Sequence, residues 1–176
     1  LDTDSPQQRL QKAIMVVIPK SISFCCLFWS SAYYFFDKPV SAAIPGGYAV
    51  FSMLSVVVFF KTKNYNFFRF SQILLILCLP FLLQASLGGF RSGSAVQVWA
   101  MLAPIGALLF HVPRPANYLL TAFIGLSVLS GIFDTYLSNM IAPLPDHIIT
   151  IFFVMNLSVA FFLVYISVHY YFTENR

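Results

Sequence analysis

Charge is the scarcest property of this sequence. Only 9% of its 176 residues are Asp, Glu, Lys or Arg, while 59% are hydrophobic; a soluble domain carries about 25% charged residues. So few polar side chains cannot cover a surface, and lipid is expected to solvate most of the chain. No Asp, Glu, Lys, Arg or His falls at the centre of a long apolar run, which argues against ion pumps, proton-coupled carriers and voltage sensors. No three-helix pattern repeats, which weakens a transporter reading. Cysteine is sparse as well. Cys25, Cys26 and Cys78 sit inside apolar runs and read as small packed hydrophobes, and no Cys/His spacing matches a zinc site. The first dozen residues are polar and precede no small-residue cleavage site, so no secretory signal is read there. The chain opens without Met and is expected to be a segment of a longer polypeptide. It contains no recognisable catalytic constellation.

What is abundant is apolar length and phenylalanine, with 20 copies. A transmembrane helix needs about 20 mostly apolar residues. The runs predict an all-α membrane protein with six transmembrane helices: Ile14 or Ser21 to Phe36, Val40–Phe60, Phe70–Leu87, Ala95–Phe110, Asn117–Phe133 and His147–Phe172. Ser5, Pro6 and Gln8 form a helix start. Leu10, Ile14, Val17 and Ile18 then oppose Gln8, Arg9, Gln11 and Lys12, so residues 1–13 are expected to form a short amphipathic helix at the membrane surface or, alternatively, a polar extension of the first span. Residues 14–172 form the six-helix domain, with Pro19 allowing a bend and Lys20 snorkelling near the inner surface. Residues 173–176 begin a cytoplasmic helix. With the N-terminus inside, Arg9, Lys12, Lys20, Lys61, Lys63, Arg69, Arg114 and Arg176 are internal, and only Lys38 and Arg91 are external. This asymmetry sets orientation with both ends in the cytoplasm, and it accounts for the net charge of +4 without nucleic acid. Tyr33, Tyr34, Trp99, Tyr136, Tyr170 and Tyr171 are expected to anchor the span ends.

The deepest polar groups are the amides of Gln84, Gln97 and Asn156, expected to bond neighbouring helices. Pro45, Pro80 and Pro104 lie inside spans as helix kinks. The pairs Ala103/Ala107 and Ser127/Gly131 would permit close helix approach. Gly88-Gly89-Phe90-Arg91-Ser92-Gly93 forms a tight turn, His111 to Pro115 closes the fourth span, and Asp134 to Asp146 forms a longer loop. Asp37, Asp134, Asp146 and His147 gather at the outer end. They are read as solvated helix termini, with Asp146 capping the sixth helix, or as a divalent-cation or ligand site. His111 and His169 raise the question of a haem held between them, a less favoured reading.

Two stretches carry a family likeness: Asn66 to Phe90, with Pro80-Phe81-Leu82-Leu83-Gln84 and Gly88-Gly89-Phe90, and Val98 to Leu108, with Trp99-Ala100-Met101-Leu102-Ala103-Pro104. Together they resemble the six-helix membrane domains that precede the catalytic domain of bacterial class III adenylate/guanylate cyclases. The resemblance implies a bacterial plasma-membrane protein, a homodimer, and a following cytoplasmic cyclase domain of the same polypeptide. The sixth helix would continue as a signalling helix through His169-Tyr170-Tyr171-Phe172. The chain would then be a receptor-like regulatory and dimerisation domain whose ligand is an outer cation or a lipophilic molecule. A passive anchor, the sensory domain of a histidine kinase or other signalling enzyme, and a small transporter are the competing readings.

Overall fold

The computed structural model describes the backbone of residues 6–109 and 113–174 and most side chains from residue 20 onward. Among these residues there are six α-helices and one 3-10 helix, and no strand. The chain divides into two compact units, residues 1–75 and 76–176, with the division falling inside one helix. Four helices are long and apolar enough to cross a membrane, which marks a membrane protein.

Unit 1 is built on a helical hairpin. Helix α1 (Pro6–Phe35) is unbroken through residue 19, so the expected surface segment and first span form one rod. The side chains of the predicted amphipathic face lie outside the described residues. The end of α1 is fixed by a Schellman cap: Asp37 adopts a left-handed φ of 56°, its N–H donates to Tyr34 O, and the Lys38 N–H donates to Tyr33 O. Pro39 opens α2 (Pro39–Thr62) at its first turn, where a missing N–H costs nothing. Close approach of the two helices rests on Gly46, where a Cβ would stand 3.0 Å from Ser30 Oγ. The same Ser30 hydroxyl donates across to Ala42 O at 2.7 Å. Pro45 is buried inside α2.

Only Lys63 and Asn64 connect α2 to α3 (Tyr65–Leu87). Lys63 takes φ 56° and donates its N–H to Phe59 O. The Asn64 carboxamide oxygen accepts from Phe67 N–H at 3.0 Å, an N-cap. Phe59 then stacks on Phe68, centroids 4.9 Å apart.

Unit 2 contains the rest of α3, an irregular segment 88–95, the 3-10 helix (Val96–Met101), α4 (Leu102–Leu109), α5 (Pro113–Met140) and α6 (Asp146–Glu174). Here the structure corrects several boundaries. The predicted fourth span is six residues of 3-10 helix followed by eight of α-helix, about 24 Å at roughly 2.0 and 1.5 Å per residue. Pro104 therefore stands in the first turn of α4, just past the junction with the 3-10 helix. Pro113 to Pro115 open α5 instead of closing the fourth span. Helix α5 runs on past Phe133, so Asp134 is helical and the connection to α6 shrinks to residues 141–145. Helix α3 starts at Tyr65, five residues before the expected Phe70. Ala100, Ala103, Ala107 and Ala160 are almost wholly buried, the small-residue packing that membrane helices use. Ser127 is half-buried, while Gly131 is exposed.

Candidate functional site

The irregular segment of unit 2 concentrates unusual backbone. Gly88 and Gly89 have φ of 99° and 100°, and Ser94 and Ala95 have φ of 52° and 56°. A Cβ on Gly88 would meet Ile141 O at 3.2 Å, and one on Gly89 would fall on the Asp134 carboxylate. Only glycine supplies both the sign of φ and the space. Ser94 and Ala95 hold their strained conformations because the surroundings fix them.

Two side chains from different helices do the fixing. Asp134, in the penultimate turns of α5, accepts the Phe90 N–H at 2.7 Å through Oδ1. Asn156, ten residues into α6, donates Nδ2–H to Ser94 O and accepts Trp99 Nε1–H through Oδ1, both at 3.0 Å. Asn156 is 2% exposed and Ser94 1%, so the bond between them is shielded from solvent, and the one to Trp99 is partly buried. The segment also bonds to the end of α3 and to itself: Gly89 N–H donates to Gln84 O, and Gly93 N–H to Gly89 O. At the rim, Arg91 donates to Asp146 Oδ1 at 3.1 Å, with both side chains more than four-fifths exposed. Gln84, on the last turns of α3, packs against Gly93, where a Cβ would meet its Cγ at 2.8 Å. The Oε1 atoms of Gln84 and Gln97 are buried and lack a hydrogen-bond partner.

The predicted site residues are thus distributed among different tasks. Asp134 holds a backbone N–H and Asp146 opens α6 while pairing with Arg91. His147 is exposed beside it. Asp37 belongs to unit 1 as the left-handed cap of α1. Among the described residues no three His, Cys, Asp or Glu side chains converge as a metal site. His169 stacks near Tyr165, centroids 5.9 Å apart, and His111 lies outside the described residues. Of the expected interfacial aromatics, Tyr34 and Tyr136 are exposed, while Tyr33 is buried and Trp99 turns inward to Asn156. Tyr170 and Tyr171 have side chains outside the described set.

Unit 1 holds a second polar network that the sequence reading passed over. Ser52 Oγ–H donates to Gln72 Oε1 at 3.1 Å, and Gln72 Nε2–H donates to Ser55 Oγ at 2.6 Å. Gln72 is 2% exposed. The start of α3 at Tyr65 places it two turns into the helix. Asn64, a cap residue, was the signal available. The Asp37 end of the same hairpin carries an open cleft of about 460 Å³, lined by Ser30, Ser31, Tyr34, Phe35, Pro39, Ala42 and Ala43. Comparison with protein-family models, curated proteins and solved structures returns no match to this chain.

Proposed function

We propose that the chain is the membrane-integral regulatory and dimerisation domain of a class III nucleotide cyclase, crossing the bacterial plasma membrane six times with both ends cytoplasmic. In this reading α6 carries a signal from the far end of unit 2 to a catalytic domain that makes cyclic AMP or cyclic GMP. The observation that carries the proposal is α6 itself. It runs 29 residues without a break, about 43 Å at roughly 1.5 Å per residue, against a hydrocarbon core of about 30 Å. A helix that overruns the bilayer transmits rotation or displacement to whatever it enters. The Asn156 bonds to Ser94 and Trp99 support a coupling role, since they tie this helix to the most strained backbone in the unit. The resemblance of residues 66–90 and 98–108 to cyclase membrane domains supplies the output. The short fourth crossing fits as well. Its ~24 Å of helix would draw segment 88–95 toward hydrocarbon depth, where irregular backbone survives only if protein groups satisfy it.

Signalling would work by population shift, with a ligand preferring one helix arrangement over another. A membrane-soluble molecule with a polar head suits the cleft beside Tyr34 and Phe35. The experiment joins the chain to a class III cyclase domain and inserts one to four residues after Tyr171. Each insertion turns the following helix by about 100°. Output should change by about 5-fold or more, for a coupling of roughly 1–3 kcal/mol, and recover near the fourth insertion. Output indifferent to insertion length would leave only a passive anchor and overturn the proposal. Tags on the two ends found on opposite membrane faces would overturn the six-crossing topology.

A further inference from the structure

We propose that the basic end of the unit 1 hairpin binds the phosphate headgroup of an anionic phospholipid. The ammonium of Lys20, from α1, lies 5.9 Å from the centre of the Phe60 ring, and that of Lys63, from the α2–α3 connection, lies 5.8 Å from the same ring. One turn further on, the Arg69 guanidinium covers the Tyr65 ring at 5.6 Å. Lys61 is exposed in the last turn of α2. Four cations are therefore gathered at one end of the hairpin.

The sequence makes this convergence. Lys63 can turn back to Phe60 because its left-handed φ closes the connection in two residues. Lys20 is exposed in mid-helix, and its long stem lets the ammonium reach the ring. Among the described residues no acid lies beside these cations to balance the charge. Among the described residues of unit 1 the single acid is Asp37, at the opposite end of the 24-residue α2. That separation is about 36 Å, several times the screening length of about 8 Å at physiological salt. Ring faces attract cations, but two ammonium groups on one ring repel each other, and an anion between them would relieve that repulsion.

The surroundings identify the anion's carrier. Phe60, Phe67, Phe70 and Val57 are all at least half exposed around the cations. A free phosphate has no use for that surface, whereas the acyl chains of a phospholipid cover it while its phosphate meets the cations. Basic pockets between membrane helices recognise anionic headgroups in this way.

The test uses the purified chain in neutral detergent, with bound lipid counted by native mass spectrometry. Phosphatidylglycerol should bind and raise the melting temperature; phosphatidylcholine and inorganic phosphate should do neither. The Lys20→Gln, Lys63→Gln protein should bind phosphatidylglycerol at least about tenfold more weakly, at about fivefold per lysine. Lys38→Gln, which removes one charge at the far end of α2, should change binding less than about twofold. If the double variant does not fold, Phe60→Leu keeps both charges, removes the ring on which they converge, and should weaken binding several-fold. Binding unchanged in the lysine or Phe60 variants, an equal loss in Lys38→Gln, or full stabilisation by inorganic phosphate would each overturn the proposal.

Discussion

The two units each bury an amide among apolar helices, and they use it differently. In unit 1, Gln72 bonds to Ser52 and Ser55, two hydroxyls one turn apart on α2. Every backbone group nearby already belongs to a regular helix. In unit 2, Asn156 bonds to a main-chain carbonyl at Ser94 and to the Trp99 indole, in a stretch where the helix ladder has lapsed. The first network joins elements that would exist without it. The second supplies bonds that an irregular segment cannot make for itself. The difference is between a link joining finished helices and a tie added to the irregular segment's own main-chain bonds, and it predicts unequal costs of removal.

The largest effect should come from Gly89→Ala. The new methyl would occupy the position of the Asp134 carboxylate, break its bond to Phe90 N–H, and force a non-glycine residue to φ near 100°. Strain and a lost charged hydrogen bond of roughly 1–3 kcal/mol each give an expected loss of about 4 kcal/mol. Thermal unfolding in detergent reads it directly; a variant as stable as the parent would show that segment 88–95 is pliable. Asn156→Leu should follow, at about 2 kcal/mol, because it leaves the buried Ser94 carbonyl and the partly buried Trp99 N–H without their partner. Gln72→Leu should cost less, about 0.6 kcal/mol, the typical value for a side-chain bond between membrane helices. Ser52 and Ser55 keep an alternative, since a helical serine can turn to the carbonyl four residues back. If Gln72→Leu proved as damaging as Asn156→Leu, the contrast between the two networks would collapse.

Hydropathy made the long helices legible because it reports the solvent a segment prefers. It does not report backbone dihedrals, and the misses follow from that. Val96 to Leu109 is as apolar as any span, so nothing in its composition distinguishes 3-10 from α. The cue was local: Gly93-Ser94 before it and Pro104 within it, the latter at home in a first turn. Asp134 resembled the start of a loop because an acid ended an apolar run. The helix continues for six residues beyond it, to Met140, and Pro143 lies in the short connection that follows. The turn at Asp37-Lys38-Pro39 was readable from residue type, and so was the acid at the start of α6. The partners of Asp134, Asp146 and Asn156 were not, because they lie 44, 55 and 62 or 57 residues away in sequence, and a distance of that size leaves no local pattern.

The smallest effect separates the rim of unit 2 from its interior. Arg91 and Asp146 form an ion pair at 3.1 Å, within 0.1 Å of the Asn156 bonds, and both belong to the same turn-and-helix neighbourhood as Asp134. Distance alone would rank them together. Exposure does not: the Arg91 and Asp146 side chains are 83% and 84% accessible, so water and salt compete for both charges. Such pairs contribute about 0–1 kcal/mol, and Asp146 retains its favourable place at the positive end of α6 when Arg91 is gone. Arg91→Gln should therefore shift stability by less than about 0.5 kcal/mol, and the shift should vanish at high salt. Melting curves at about 0.05 and 0.5 M salt, where the screening length falls several-fold, would measure this. A loss comparable to that of Asn156→Leu, persisting at high salt, would mean that the rim pair is shielded and belongs with the interior bonds.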